Sequence, residues 1–77
     1  MDIMACILDK AMDGARKTHV MYGCNLSHRQ FKVYLNLLLE SGLISLRSES
    51  DVEILVTTDE GRVFLKDYGN LKGHLAT

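Results

Sequence analysis

The sequence SHRQFKVYLNLLLESG, residues 27–42, contains the clearest secondary-structure pattern of the chain. Ser27 and Gln30 predict a capping box, in which the serine hydroxyl bonds the backbone of Gln30 and the glutamine side chain reaches back to Ser27. Apolar residues then recur at helical spacing and predict one inward stripe: Phe31, Tyr34, Leu35, Leu38 and Leu39. Gly42, after Ser41, closes the helix. The stretch therefore predicts a helix over residues 27–41 with a fixed start and one buried face.

The opposite face of this helix is polar and basic, and it comprises His28, Arg29, Lys32, Val33 and Asn36. The first turns of a recognition helix are the part that touches base edges when the helix enters a major groove. Arg29 can bond guanine or phosphate, Gln30 and Asn36 can pair with adenine, and Val33 can meet a thymine methyl. Asn36 lies two turns into the helix, which favours a solvent-facing role for it.

Positive charge is concentrated around this helix, although the 77-residue chain has a net charge of -1. Residues 14–39 hold four Lys or Arg residues and two His, without one Asp or Glu. Bulk charge gives no general attraction to polyanions, so any nucleic-acid contact must come from this patch. The candidate contact residues are Arg16, Lys17, His19, Tyr22, Ser27, His28, Arg29, Lys32, Val33 and Arg47. Among them, Arg16, Lys17 and Lys32 are expected to bind phosphates, and His28, Arg29 and Val33 to read bases.

Two further helices are expected before residue 27. Asp2 is a good N-cap for a first helix, with Gly14 as its left-handed C-cap. A short second helix over 18–22 ends at Gly23, and the turn 24–26 leads to Ser27. A short helix that turns into a longer one follows the helix-turn-helix plan.

Two strands and a last helix are expected after Gly42. Residues 43–47 and 52–56 predict a hairpin, with the polar residues 48–51 between its strands. Thr57 with Glu60 predicts a second capping box, and Thr58 is an alternative cap one residue later. The last helix, residues 58–76, carries a heptad-like seam that favours dimerisation, formed by Phe64, Tyr68, Leu71 and Leu75. Val63 and Leu65 indicate that part of this helix also meets the domain.

Length and composition predict one α+β, mostly helical domain over residues 1–77. No apolar run approaches the roughly 20 residues that cross a bilayer, and the start MDIMACILDK lacks the features of a secretory signal. The expected location is therefore cytoplasmic. A reducing compartment argues against pairing Cys6 with Cys24, so both are expected to be small, buried apolar residues.

The order of three helices, two strands and a helix is that of a winged helix-turn-helix domain. Three runs, residues 17–27, 34–44 and 56–65, resemble the archaeal winged-helix family that includes small dimeric chromatin proteins and predicted transcriptional regulators. The pattern within KTHVMYGCNLS, residues 17–27, is the specific part of this resemblance. The resemblance implies a nucleoid-associated protein that binds double-stranded DNA, with the third helix in the major groove and the hairpin near the backbone or minor groove. It also implies a homodimer formed through the last helix.

The hairpin departs from what close DNA contact requires. Arg47 can approach a phosphate, but Glu49, Asp51 and Glu53 would meet DNA with like charge. The hairpin tip is therefore not expected to insert into a groove.

Other classes of function are less well supported. His19, Cys24 and His28 are too few and too irregularly spaced for a structural zinc site, which needs four ligands. The chain has no phosphate-binding glycine loop and no nucleophile elbow, so neither an enzyme, nor a cofactor, nor a small-molecule substrate is expected. The serious alternative is a winged-helix module that docks onto another protein, because a fold does not fix a function.

Overall fold

A computed structural model describes the backbone of residues 3–76 and the side chains of residues 3–68. Its elements are α1 (Ile3–Lys10), β1 (Ala15–Arg16), α2 (Lys17–Gly23), α3 (His28–Glu40), β2 (Ile44–Glu49), β3 (Val52–Thr57) and α4 (Asp59–Ala76). The expected order of helices and hairpin is confirmed. The short strand β1 was not predicted, and Asp2, the expected cap of the first helix, lies outside the described residues.

The sheet has the order β1-β3-β2, and both of its strand pairs are antiparallel. Ser50 and Asp51 form a two-residue turn with φ values of 49° and 65°. Positive φ at both central positions is what a tight hairpin turn of this length requires. The strands are therefore longer than predicted, and Ser48 and Glu49 belong to β2 rather than to the connecting loop.

The core lies where the first three helices meet one face of the sheet. Its buried residues come from α1, α2, α3, β2, β3 and the segments between them: Ile7, Leu8, Ala11, Val20, Leu26, Phe31, Leu35, Leu38, Ile44 and Leu55. The predicted stripe of α3 is confirmed, with Phe31, Leu35 and Leu38 buried and Tyr34 and Leu39 packed against the core. Burial of this stripe fixes which face of α3 remains in solvent.

Two helix ends differ from the sequence-based expectation. The helix α1 ends at Lys10, and Gly14, with φ of 95°, follows a further turn and leads into β1 instead of capping α1. The helix α2 continues through Gly23, and the residue with positive φ is Asn25, at 55°. The Leu26 N–H then bonds the Met21 carbonyl at 3.0 Å, which closes α2 with a Schellman-type bond.

Thr58 caps α4. The prediction of Thr57 as the cap is therefore wrong, and the alternative prediction of Thr58 is confirmed. The Thr58 hydroxyl accepts a hydrogen bond from the Gly61 N–H at 3.1 Å and donates one to the Gly42 carbonyl at 2.7 Å. Thr57 is buried, and its hydroxyl donates to the Leu8 carbonyl at 2.6 Å. A tertiary hydrogen bond to α1 therefore takes the side chain that local spacing assigned to the cap.

The expectation that Cys6 and Cys24 remain unpaired is also wrong, because the two residues form a disulfide. Packing of α1 against α2 brings their Cα atoms to 5.9 Å, within the range that a disulfide needs. The bond joins α1 to the residue that follows α2. The unpaired state was predicted from an expected reducing compartment, whereas the packing of the helices brings the two sulfur atoms together.

The described part of α4 packs on its own domain. Phe64 and Leu65 lie against the core, as expected for Leu65. Val63 was also expected to meet the domain, but 58% of its surface is exposed. The side chains of Leu71 and Leu75, half of the predicted seam, lie outside the described residues.

Candidate nucleic-acid interface

The helix α3 begins at a rigid start and presents an exposed polar face. The Ser27 hydroxyl accepts from the Gln30 N–H, and the Gln30 side chain accepts from the Ser27 N–H, both at 3.2 Å. This confirms the capping box. All five residues expected on the outward face are exposed: His28, Arg29, Lys32, Val33 and Asn36. The Gln30 amide oxygen already accepts the capping hydrogen bond from the Ser27 N–H, which argues against the predicted pairing of Gln30 with adenine.

Three of the candidate phosphate or base contacts surround one groove between α2 and α3. Lys17, at the start of α2, and His28 and Lys32, on the first turns of α3, line it together with Phe31 and Leu35. Lys17 and Lys32, which are 15 positions apart in sequence, thus border the same feature of the surface. We call this feature the α2–α3 groove. It brings together basic side chains from two helices.

An acidic side chain from the hairpin enters this basic region. Glu53 of β3 pairs with Lys17 at 2.6 Å between its Oε2 and the lysine Nζ. Their side chains are 57% and 39% exposed, so solvent screens the pair and its contribution to stability is small. The pair nevertheless places a carboxylate beside a lysine that was expected to bind phosphate.

The pair of Lys17 and Glu53 was not predicted, although the sequence contains a signal for it. Side chains alternate between the two faces of a strand, so Glu53 shares its face with Leu55, which is buried in the core. That alternation places the Glu53 carboxylate on the side of the sheet that faces the helices.

Arg16 and Arg47 lie apart from the α2–α3 groove. Both are exposed and both pair in register with Ile54 of the central strand, one from each side. Because directly paired residues share a face, the two arginines flank Ile54 on the sheet face opposite the core. Arg47 also borders a second cleft of about 410 Å³, which contains Glu49 and Arg62. The ten candidate contacts therefore do not form a single face.

The remaining candidates are exposed but have different surroundings. His19 and Tyr22, the latter 73% exposed, lie on α2 and are not among the residues that line the groove. Ser27 is exposed, and its hydroxyl oxygen accepts the capping hydrogen bond. The acidic residues Glu49 and Asp51 lie exposed at the tip of the hairpin. Both side chains therefore place negative charge at the tip.

The described residues offer neither a metal-binding cluster nor a membrane span. In that part of the chain, no group of three or more His, Cys, Asp or Glu side chains is placed to hold a metal ion. Cys24, one of the three residues considered for zinc, is bonded to Cys6. No helix within the described range is long and apolar enough to cross a membrane.

Three helices around a small sheet, with a hairpin after the third helix, define a winged helix-turn-helix domain. The family model described as winged helix-turn-helix matches residues 1–75, and the chain belongs to this family. The resemblance noted in the sequence is thereby confirmed. No curated protein matches the chain.

Solved structures with the same fold include proteins from archaea and bacteria. Sso10a-2, a DNA-binding protein from Sulfolobus solfataricus, shares 23% identity at a TM-score of 0.77, with 96% of this chain and 81% of that chain covered. BpsR of Bordetella bronchiseptica, whose DNA binding is regulated by 6-hydroxynicotinic acid, shares 10% identity at a TM-score of 0.83, with 99% and 58% covered. A MarR family transcriptional regulator from Silicibacter pomeroyi shares 16% identity at a TM-score of 0.68, with 96% and 53% covered. The chain thus spans little more than half the length of these two bacterial proteins.

Proposed function

We propose that this chain binds double-stranded DNA as a transcriptional regulator or chromatin component, with α3 in the major groove. The observation that carries the proposal is the exposed face of α3, where His28, Arg29 and Lys32 follow a capped helix start. The first turns of such a helix are the part that reaches base edges. The family and the DNA-binding proteins among the similar structures support this function.

The residues divide into two roles. Lys17 and Lys32 bind phosphates from either side of the α2–α3 groove, and these contacts set affinity. Arg29, His28 and Val33 contact base edges from the outer surface of α3. This division makes α3 the source of any sequence preference.

Other candidates contribute only to affinity in this proposal. Arg16 and Arg47 flank Ile54 on the outer face of the sheet, so they meet only phosphates beside the hairpin. His19, Tyr22 and Ser27 supply further backbone contacts from α2 and from the turn before α3. Truncation of any of these five side chains should weaken the binding of all DNA sequences by the same factor.

The test is fluorescence anisotropy of labelled duplex DNA across a salt series, with one random sequence and the chain's own upstream region. Arg29→Ala combined with Lys32→Ala should weaken binding at least tenfold. The double variant should also reduce the slope of log K against log salt by about 0.9, because Lys32 is the one phosphate contact that it removes and Arg29 contacts base edges. Lys10→Ala combined with Lys66→Ala is the matched control, since both lysines are exposed and neither lines the groove.

A difference in affinity between the two DNAs would indicate that the chain is a regulator. Equal affinity would indicate that it is a chromatin component. Wild-type affinity in a folded Arg29/Lys32 double variant would remove α3 from the mechanism. If the wild type binds no DNA even at low salt, the docking-module alternative replaces the proposal.

We also propose that the chain forms a homodimer through α4. Val63, exposed on this helix, adds apolar surface beside the proposed seam of Phe64, Tyr68, Leu71 and Leu75, of which the half-buried Phe64 also packs on the core of its own domain. A charged residue in a desolvated seam is costly, so Tyr68→Asp should produce monomers. Sedimentation velocity distinguishes the two states, with Asp67→Asn, an exposed neighbour, as the control. A wild-type monomer, or an intact dimer in Tyr68→Asp, would reject the seam.

A further inference from the structure

The α2–α3 groove has a form that phosphate binding alone does not require. Two adjoining hollows of about 210 and 180 Å³ share Lys17, His28 and Phe31 along their boundary. Leu35 extends the floor along α3, and Met21 extends it along α2. A phosphate group bound by lysines needs no such apolar floor.

The floor and the rim of the groove differ in chemistry. Phe31 and Leu35 are 4% and 6% exposed and belong to the core, so the floor is held rigid by the packing beneath it. The rim is formed by Lys17 and Lys32, whose side chains carry ammonium groups, and by His28, which lines both hollows. A matching ligand therefore has an apolar, flat body and an anionic end.

We propose that the α2–α3 groove binds a small aromatic carboxylate, and that the bound acid competes with DNA. Each hollow is at least as large as the roughly 150 Å³ that holds one benzene ring in an engineered apolar cavity. The ring lies over Phe31, while the carboxylate faces the lysines of the rim. The competition, though not the binding itself, rests on the proposed DNA-binding function, because Lys17, His28 and Lys32 serve both.

The pair formed by Glu53 and Lys17 determines where the carboxylate of the ligand binds. Glu53 already neutralises Lys17 at 2.6 Å, whereas within residues 3–68 no acidic side chain forms an ion pair with Lys32. Lys32 is therefore the primary partner of the ligand, and Lys17 joins it when Glu53 is displaced or removed. Removal of the Lys32 charge should weaken binding more than removal of the Lys17 charge.

Direct binding is measured on the full chain without DNA, by NMR of methionine methyl groups labelled with ¹³C. Met21 lines the groove, whereas Met4 and Met12 do not, so the latter two report non-specific effects in the same sample. Sodium benzoate is the probe, benzamide is its neutral isostere, and acetate is the anion without a ring. Benzoate should shift the Met21 methyl signal with half-saturation in the millimolar range, as expected for a ligand of this size in an open site.

Charge dependence is tested with Lys32→Met, which should weaken benzoate binding at least fivefold. The control Lys66→Met removes an exposed lysine outside the groove and should leave binding unchanged. The inference is overturned if Met21 does not respond to benzoate, or if benzamide or acetate shifts it equally well. It is also overturned if Lys32→Met binds benzoate as well as the wild type.

Competition is measured by the anisotropy assay at constant ionic strength, with acetate replacing benzoate in the control. Benzoate should weaken DNA binding in proportion to its occupancy of the groove. If benzoate shifts the Met21 methyl signal but the protein binds no DNA, the site is supported and the proposed function is rejected. If the protein binds DNA but benzoate does not shift the Met21 methyl signal, the aromatic-carboxylate site is rejected and the proposed function stands. DNA affinity that is unchanged at saturating benzoate overturns the competition.

Discussion

The disulfide between Cys6 and Cys24 should supply a large share of the stability of this small domain. The two cysteines are separated by 18 positions in sequence. In the chain-entropy description, a cross-link that closes a loop of this length stabilises the folded state by about 3 kcal/mol. Domains of this size are marginally stable, with a total free energy of unfolding on the order of 5 kcal/mol or somewhat more. Reduction of the bond should therefore remove a substantial part of that free energy.

The assay is thermal unfolding followed by circular dichroism, with and without a phosphine reductant. A loss of about 3 kcal/mol corresponds to a fall in Tm of roughly 15 °C for a domain of this length. The variant Cys6→Ser with Cys24→Ser should melt near the reduced wild type and should not respond to the reductant. An equal Tm in oxidised and reduced protein would show that the disulfide does not stabilise the fold. Thiol titration before reduction is the check on the starting state, and two reactive thiols in native protein would refute the bond itself.

Two further predictions concern Glu53 and Gly61. Glu53→Gln removes the ion-pair partner of Lys17 and a negative charge near the proposed DNA, so DNA affinity should rise roughly threefold; anisotropy checks this against Glu49→Gln, and equal affinity in the two variants would contradict it. Gly61→Ala should lower the free energy of unfolding by about 3 kcal/mol in urea denaturation, because the added Cβ would overlap the Leu43 carbonyl oxygen; an unchanged midpoint would contradict that overlap.

The candidate site was only partly predictable from the sequence. The exposed face of α3 followed from helical periodicity, because burial of Phe31 and Leu35 leaves Arg29 and Lys32 on the other side. The grouping of basic residues did not follow in the same way. Arg16 and Lys17 are adjacent in sequence, yet one lies on the outer face of the sheet and the other borders the groove. The unpredicted strand β1 causes this separation, because its pairing with β3 fixes the direction of Arg16.

Local sequence patterns predicted the features that depend on neighbours a few residues apart. The Ser27–Gln30 capping box spans three positions, and the stripe of α3 repeats every three or four residues, so local patterns specify both. The order of helices and hairpin follows from the same kind of signal. These interactions form within one element and need no knowledge of what packs against it.

Contacts between distant groups depend instead on how the elements pack in the folded chain. Thr57 bonds the Leu8 carbonyl across 49 positions, which leaves the cap of α4 to Thr58. Cys6 meets Cys24 because α1 packs on α2, and the pairing of β3 with β1 and β2 carries Glu53 to Lys17. Each of these contacts depends on the relative position of two elements, which the packing of the shared core sets. The spacing of residues within one element does not specify how two elements pack against each other. These contacts can therefore be identified only in the folded chain.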